Sequence, residues 1–172
     1  DVYEISISER VQNASEANAV FDFALSIAKK ENATVLFAEL FGGEFLAKPL
    51  LAFKSKVGHA FPVNHILPLC ENAKPLLASI HIVLGKAEKI SFRQSANGNS
   101  VVYGNEEFEC LRTFGVNGDL PNCTAKERAT YNLNCLNHIL TENGFCFGDV
   151  IRTWFYNLNI LDWYSDFNAA RT

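Results

Sequence analysis

Residues 33–41 read ATVLFAELF, with a single charged residue in nine positions. A run this short cannot cross a membrane, and it lacks the alternation of a strand with one wetted face. It predicts a central strand covered on both faces, so the chain must supply a layer on each side of it. That requirement constrains everything around it.

Helices and further strands are legible on either side. Before the run, DVYEISISE alternates Val2, Tyr3, Ile5 and Ile7 with polar residues, which predicts an opening strand. Ser15 is a candidate N-cap for a helix carrying Ala17, Val20, Phe21, Ala24, Leu25 and Ala28 on one stripe and ending at Glu31-Asn32. After the run, Gly42-Gly43 ends the strand, and Pro49 is suited to the first position of a helix over PLLAFKSK. Residues 59–72 carry Pro62 and Pro68 with little periodicity and predict loop or extended chain. LLASIHIVLG predicts another strand. EKISFRQ and SVVYG flank an Asn97-Gly98 hairpin signal, and EEFECLRTFGV should add a third antiparallel strand.

The stretch 124–172 is the most strongly patterned. Thr124-Ala-Lys-Glu127 is a capping box, in which the hydroxyl accepts from the third helical N–H and the carboxylate reaches back. Ala129, Leu133, Leu136 and Leu140 mark the buried stripe, and Gly144 is suited to a left-handed cap. DVIRTWFY predicts a strand with Val150, Arg152, Trp154 and Tyr156 on one face, returned to the sheet by a right-handed βαβ crossover. Ile160, Trp163, Tyr164 and Phe167 line a closing helix. The unit KKENATVLFAELF is echoed by LTENGFCFGDVIRTWFY, which suggests two related halves: 1–75, an α+β half, and 76–172.

Composition narrows the class. The chain has 172 residues, 48% of them hydrophobic, enough for a substantial core. A net charge of −4 without a basic cluster argues against a nucleic-acid partner held by phosphate contacts. No apolar run approaches the roughly 18 residues of a membrane span. Five cysteines, an odd number without a CxxC pair, favour a reduced, cytoplasmic setting. The glycosylation-type triplets at Asn13, Asn32 and Asn122 are within what a chain rich in Asn, Ser and Thr produces by chance. The chain begins at Asp1 and ends inside a helical pattern, and the second half reads as truncated at its C-terminus.

RTFGV, the capped helix ending at Gly144 and IRTWFYNLNILDWYSDFNAART resemble the RidA (YjgF, reactive intermediate deaminase) superfamily. The last phrase is similar to a two-domain branch containing the chorismatases and the so-called translation initiation inhibitor proteins. The specific likeness covers about residues 107–172. It implies an α+β, chorismate-mutase-like fold, a mixed sheet with helices on one face. It also implies a cleft for a small carboxylate-bearing metabolite, and homotrimers among single-domain members. Asn168 matches the family's cleft asparagine, and Gly115 the glycine of its Ser-Gly strand end, where the serine is replaced here by Phe114. Phenylalanine cannot offer a carboxylate the hydrogen bond a serine would. The arginine and glutamate of the family's deaminases, and the acidic residues of chorismatases, belong to strands that would lie beyond Thr172. A binding protein is therefore the first expectation, and a chorismatase-like or imine/enamine deaminase the alternative. The endoribonuclease label (L-PSP) often given to the family fits poorly with the acidic balance.

The remaining candidates each have a plainer reading. Arg152 is suited to clamp a ligand carboxylate, but also to pair with Asp149, Asp162 or Asp166 and pack on Trp154. The aromatic cluster Trp154, Tyr156, Trp163 and Tyr164 reads as core or interface before it reads as a stacking platform. Cys135 and His138 lie one turn apart with no third ligand, so no metal is expected. His81 is expected to be a satisfied core histidine, and Glu106, Glu107 and Glu109 a solvated strand start. No phosphate loop, dinucleotide fingerprint or nucleophile elbow is present, so no cofactor is expected.

Overall fold

The computed structural model describes residues 2–67, 77–95, 98–117, 120, 122–157 and 159–171. The fold is α+β and divides into two compact units, one of residues 1–93 and 99–114 and the other of residues 94–98 and 115–172. The expected boundary at 75/76 falls outside the described residues, as does Cys70.

The first unit contains the expected central strand. Strands β1 (Tyr3–Val11), β2 (Thr34–Phe41), β3 (Val63–Ile66) and β4 (Ala78–Lys86) form a mixed sheet in the order β1-β4-β2-β3. β4 runs antiparallel to both β1 and β2, and β3 runs parallel to β2. Helices α1 (Ala14–Glu31) and α2 (Ala47–Val57) pack on one face, where Phe21 stacks on Phe53 at 4.7 Å over Val35, Leu40, Ile80 and Ile82. The other face of β2 presents Leu36 and Phe37 to a second sheet, β5 (Lys89–Ser95), β6 (Gly98–Gly104) and β7 (Glu109–Phe114), through Val101, Tyr103 and Phe114. The double covering that residues 33–41 demand is thus supplied by helices on one side and a three-stranded sheet on the other.

Several local expectations are corrected. Asn13, not Ser15, caps α1: its side-chain oxygen accepts from the Glu16 N–H, and the Glu16 carboxylate accepts from the Gln12 N–H at 2.7 Å. Pro49 is the third residue of α2, which opens through a 3-10 turn at Glu44–Leu46; proline is tolerated there because first-turn N–H groups lack intrahelical partners. Of the stretch expected to be loop or extended chain, residues 63–66 are extended and pair as a strand, because β2 leaves an edge that four residues can pair with.

The second unit contains α3 (Ala125–Glu142) and α4 (Tyr164–Arg171) packed together. The capping box of Thr124 and Glu127 forms as expected, and Gly144 is left-handed at φ 81°. The strand expected at DVIRTWFY does not form. A 3-10 turn at Phe147–Asp149 leads into irregular chain over 150–157, and no strand follows α3 among the described residues. The expected crossover is therefore absent there, and the echo between halves is confined to two 18-residue helices followed by asparagine. Ile151 is fully exposed, whereas Phe167 is buried with the Phe155 and Trp163 rings packed edge-on against it. No helix is long and apolar enough to cross a membrane among the described residues.

Candidate functional site

Alternation along a strand sends every second side chain to one face, so register decides which polar residues meet. In β1, Tyr3, Ile5, Ile7 and Val11 go to the helix side, leaving Glu4, Ser6, Ser8 and Arg10 on the opposite face. In β4, Ala78, Ile80, Ile82 and Leu84 go to the helices, leaving Ser79, His81 and Val83 opposite. Pairing aligns Ser8 with His81 and His81 with Glu39, and Glu39 aligns with Asn64 on β3. The next row toward the strand ends is Arg10, Ser79, Phe41 and Ile66.

Two ends of this face differ. At one end the second sheet buries Leu36, Phe37 and Val83, and there Tyr103 donates its hydroxyl proton to Glu4. Arg112 donates its Nε–H to the Tyr103 hydroxyl at 3.0 Å, lies 3.3 Å from the Glu4 carboxylate, and covers the Phe37 ring at 5.1 Å. Burial pushes the Tyr103 phenol far above its ordinary range, and the hydrogen bond from Arg112 opposes that rise. This cluster ties the two sheets of the unit together and is structural.

The other end carries a cavity of about 370 Å³, lined among the described residues by Arg10, Phe41, Gly42, Ile66, Leu77, Ala78 and Ser79. Its volume is within the range of small-molecule sites. The walls are largely apolar with one cation. Arg10 makes no ion pair or side-chain hydrogen bond with any described residue, and neither does Ser79. One row away, Ser8 Oγ and His81 Nδ1 are hydrogen-bonded at 2.6 Å, and the His81 ring lies 6.2 Å from that of Phe37. A guanidinium with no partner among the described residues, beside a largely apolar cavity, is suited to a carboxylate, because its fork of N–H donors matches two carboxylate oxygens.

The residues expected from the sequence lie elsewhere. Phe114 is buried against Phe37 at 4.9 Å, so it is a core residue of the first unit. Gly115 is exposed and left-handed at φ 66°, with open space where a Cβ would lie. Arg152 lies over the Trp154 ring at 5.2 Å and forms no ion pair with a described acidic residue. Asn168 accepts a hydrogen bond from Arg171 at 2.7 Å, and no hydrogen bond joins it to Arg152. His138 pairs with Glu142 rather than with Cys135, and no cluster of metal ligands occurs among the described residues. His81 is satisfied, as expected, but by Ser8 on the open sheet face rather than in the core. Glu106, Glu107 and Glu109 are exposed.

Ser8, Arg10, Glu39 and Ser79 were not legible as a group. Their one sequence signal is the polar phase of two alternating strands, ISISER and ASIHIV, which becomes a site only once β1 and β4 are known to pair. Comparison with protein-family models, with curated proteins and with solved structures finds no match to this chain.

Proposed function

We propose that the protein binds a small carboxylate-bearing metabolite, with Arg10 as the carboxylate anchor and the cavity beside Phe41 and Ile66 of the β1-β4-β2-β3 sheet as the site. The observation that carries this reading is the Arg10 guanidinium, which has no ion pair or side-chain hydrogen bond among the described residues, in the lining of a largely apolar cavity. A carboxylate would satisfy the cation while the remainder of a small ligand lies against Phe41, Ile66 and Leu77. We further propose that the protein is RidA-like. A three-stranded sheet followed by a capped helix, an apolar segment and a second helix supports that resemblance.

Titration calorimetry with pyruvate and chorismate, and with the corresponding methyl esters as controls, tests the reading. The acid should bind and its ester should not. Arg10→Gln should weaken binding roughly 10- to 100-fold, the worth of a charge-assisted hydrogen bond. Arg152→Gln and Asn168→Ala should leave binding unchanged. If those two abolish binding and Arg10→Gln does not, the site lies in the second unit and this reading fails.

A further inference from the structure

We infer that Ser8 is an acyl-accepting nucleophile activated by His81, so that the site opens short carboxylate-bearing esters. This rests on Arg10 as the carboxylate anchor. The observation is the 2.6 Å hydrogen bond between Ser8 Oγ and His81 Nδ1, on the open sheet face in the row beside the cavity. A serine hydroxyl is a weak nucleophile until a base takes its proton, and an adjacent imidazole is the commonest such base. With the ring proton on Nε2, Nδ1 accepts the hydrogen bond from the Ser8 hydroxyl and is placed to take that proton.

Ser8 and Arg10 are two residues apart on β1 and point to the same face, so their Cα atoms are roughly 7 Å apart. That separation fixes the substrate class. A ligand anchored at Arg10 by its carboxylate reaches Ser8 with a carbonyl a few bonds away, as in a monoester of a short dicarboxylic acid.

The chemistry balances with water alone. Ser8 Oγ forms a bond to the ester carbonyl carbon as His81 Nδ1 takes the hydroxyl proton. The carbon–oxygen bond to the alcohol breaks, and His81 returns the proton to the departing alkoxide. Water then attacks the acyl-Ser8 ester, giving one proton to His81. The bond to Ser8 Oγ breaks, and that proton restores the hydroxyl. The Ser79 hydroxyl in the cavity wall, without a side-chain hydrogen bond among the described residues, is a donor available to the oxyanion.

The test uses the full chain and a fluorophosphonate, whose phosphorus–fluorine bond breaks as a phosphorus–oxygen bond to an activated serine forms. Peptide mass mapping should place the label on Ser8, and succinate should slow labelling. His81→Ala should slow it by about 100-fold or more, with His81→Asn as a second variant and far-UV circular dichroism to check folding. No label on Ser8, or equal labelling in a folded His81 variant, overturns the inference. If pyruvate or chorismate binds in an Arg10-dependent manner while Ser8 stays unlabelled, only the nucleophile is lost. If Ser8 labels but neither carboxylate binds, the Arg10 anchor fails and with it the proposed ester class.

Discussion

Leu36 occupies the space that a side chain at Gly85 would need: a Cβ at residue 85 would lie 2.3 Å from Leu36 Cδ1 and 2.9 Å from its Cγ. The pairing of β2 with β4 shifts between Val35 and Phe37, so Leu36 is the extra residue of a bulge. Both Leu36 and Phe37 thereby turn toward the second sheet, while Val35 stays with the helices. Glycine at 85 is required by space rather than by backbone conformation. Gly85→Ala should destabilise the protein by about 1–3 kcal/mol, the usual cost of overpacking. The same substitution in a Leu36→Ala background should cost less, because the obstructing carbons are gone. Urea unfolding of the two single variants and the double variant checks this; strict additivity would show that the two residues do not share the space.

Much of this architecture is legible in the sequence, and the exceptions have physical causes. The run 33–41 dictates two covering layers, and both exist. Capping chemistry is local, so the box at Thr124 and the turn at Gly144 follow from a few residues. β3 is legible only as loop or extended chain, because four residues carry too little pattern to name a strand and the existence of an open edge on β2 is not a local property. DVIRTWFY has strand character by composition, yet a strand needs a neighbour to hydrogen-bond with, and propensity cannot supply one. The candidate site escaped for the same reason. Ser8 and His81 are separated by 73 residues and are brought together only by register.

Tyr103 should make the first unit sensitive to alkali. Its phenol is held protonated by burial, opposed by the hydrogen bond from Arg112. A folded-state value raised above the unfolded one, about 10 for tyrosine, contributes stability that is complete below pH 10. That stability is lost as pH rises above 10 toward the folded value. The melting temperature should therefore fall more steeply between pH 9 and 11 in the wild type than in Tyr103→Phe, which has no proton to lose. At neutral pH the variant should be less stable by about 1 kcal/mol, because the Arg112 Nε–H loses its acceptor. Parallel slopes for the two proteins would contradict this account.

The capping box gives the opposite sign at acid pH. Backbone and hydroxyl hydrogen bonds from Thr124 hold the Glu127 carboxyl below the ordinary carboxylate range. Its contribution is present above the unfolded value, about 4.3, and is lost as pH falls through the lower folded value. Glu127→Gln should flatten the acid limb of a helix-content profile measured by circular dichroism from pH 6 to 2. Thr124→Ala should flatten it as well and should cost about 1 kcal/mol at neutral pH. An unchanged acid limb in both variants would show that the box does not govern the stability of α3.

The contrast between Ile151 and Phe167 tests the irregular segment directly. Ile151 is wholly exposed, and the strand expected around it would have buried one face of the chain. Phe167 is 7% exposed and receives Phe155 at 4.9 Å and Trp163 at 5.8 Å, with Arg171 over its ring at 5.0 Å. A side chain already in water has no burial to lose, so Ile151→Ser should change unfolding free energy by no more than about 0.5 kcal/mol. Phe167→Ala removes a buried ring from the contact of α4 with its own unit and should cost about 3–5 kcal/mol. Chemical unfolding followed by tryptophan fluorescence suits both, because Trp154 lies within the irregular segment and Trp163 packs against Phe167. A loss of 2 kcal/mol or more in Ile151→Ser, well beyond the surface range, would mean that residues 150–157 are packed against something in solution, and that the strand read from the sequence forms there after all.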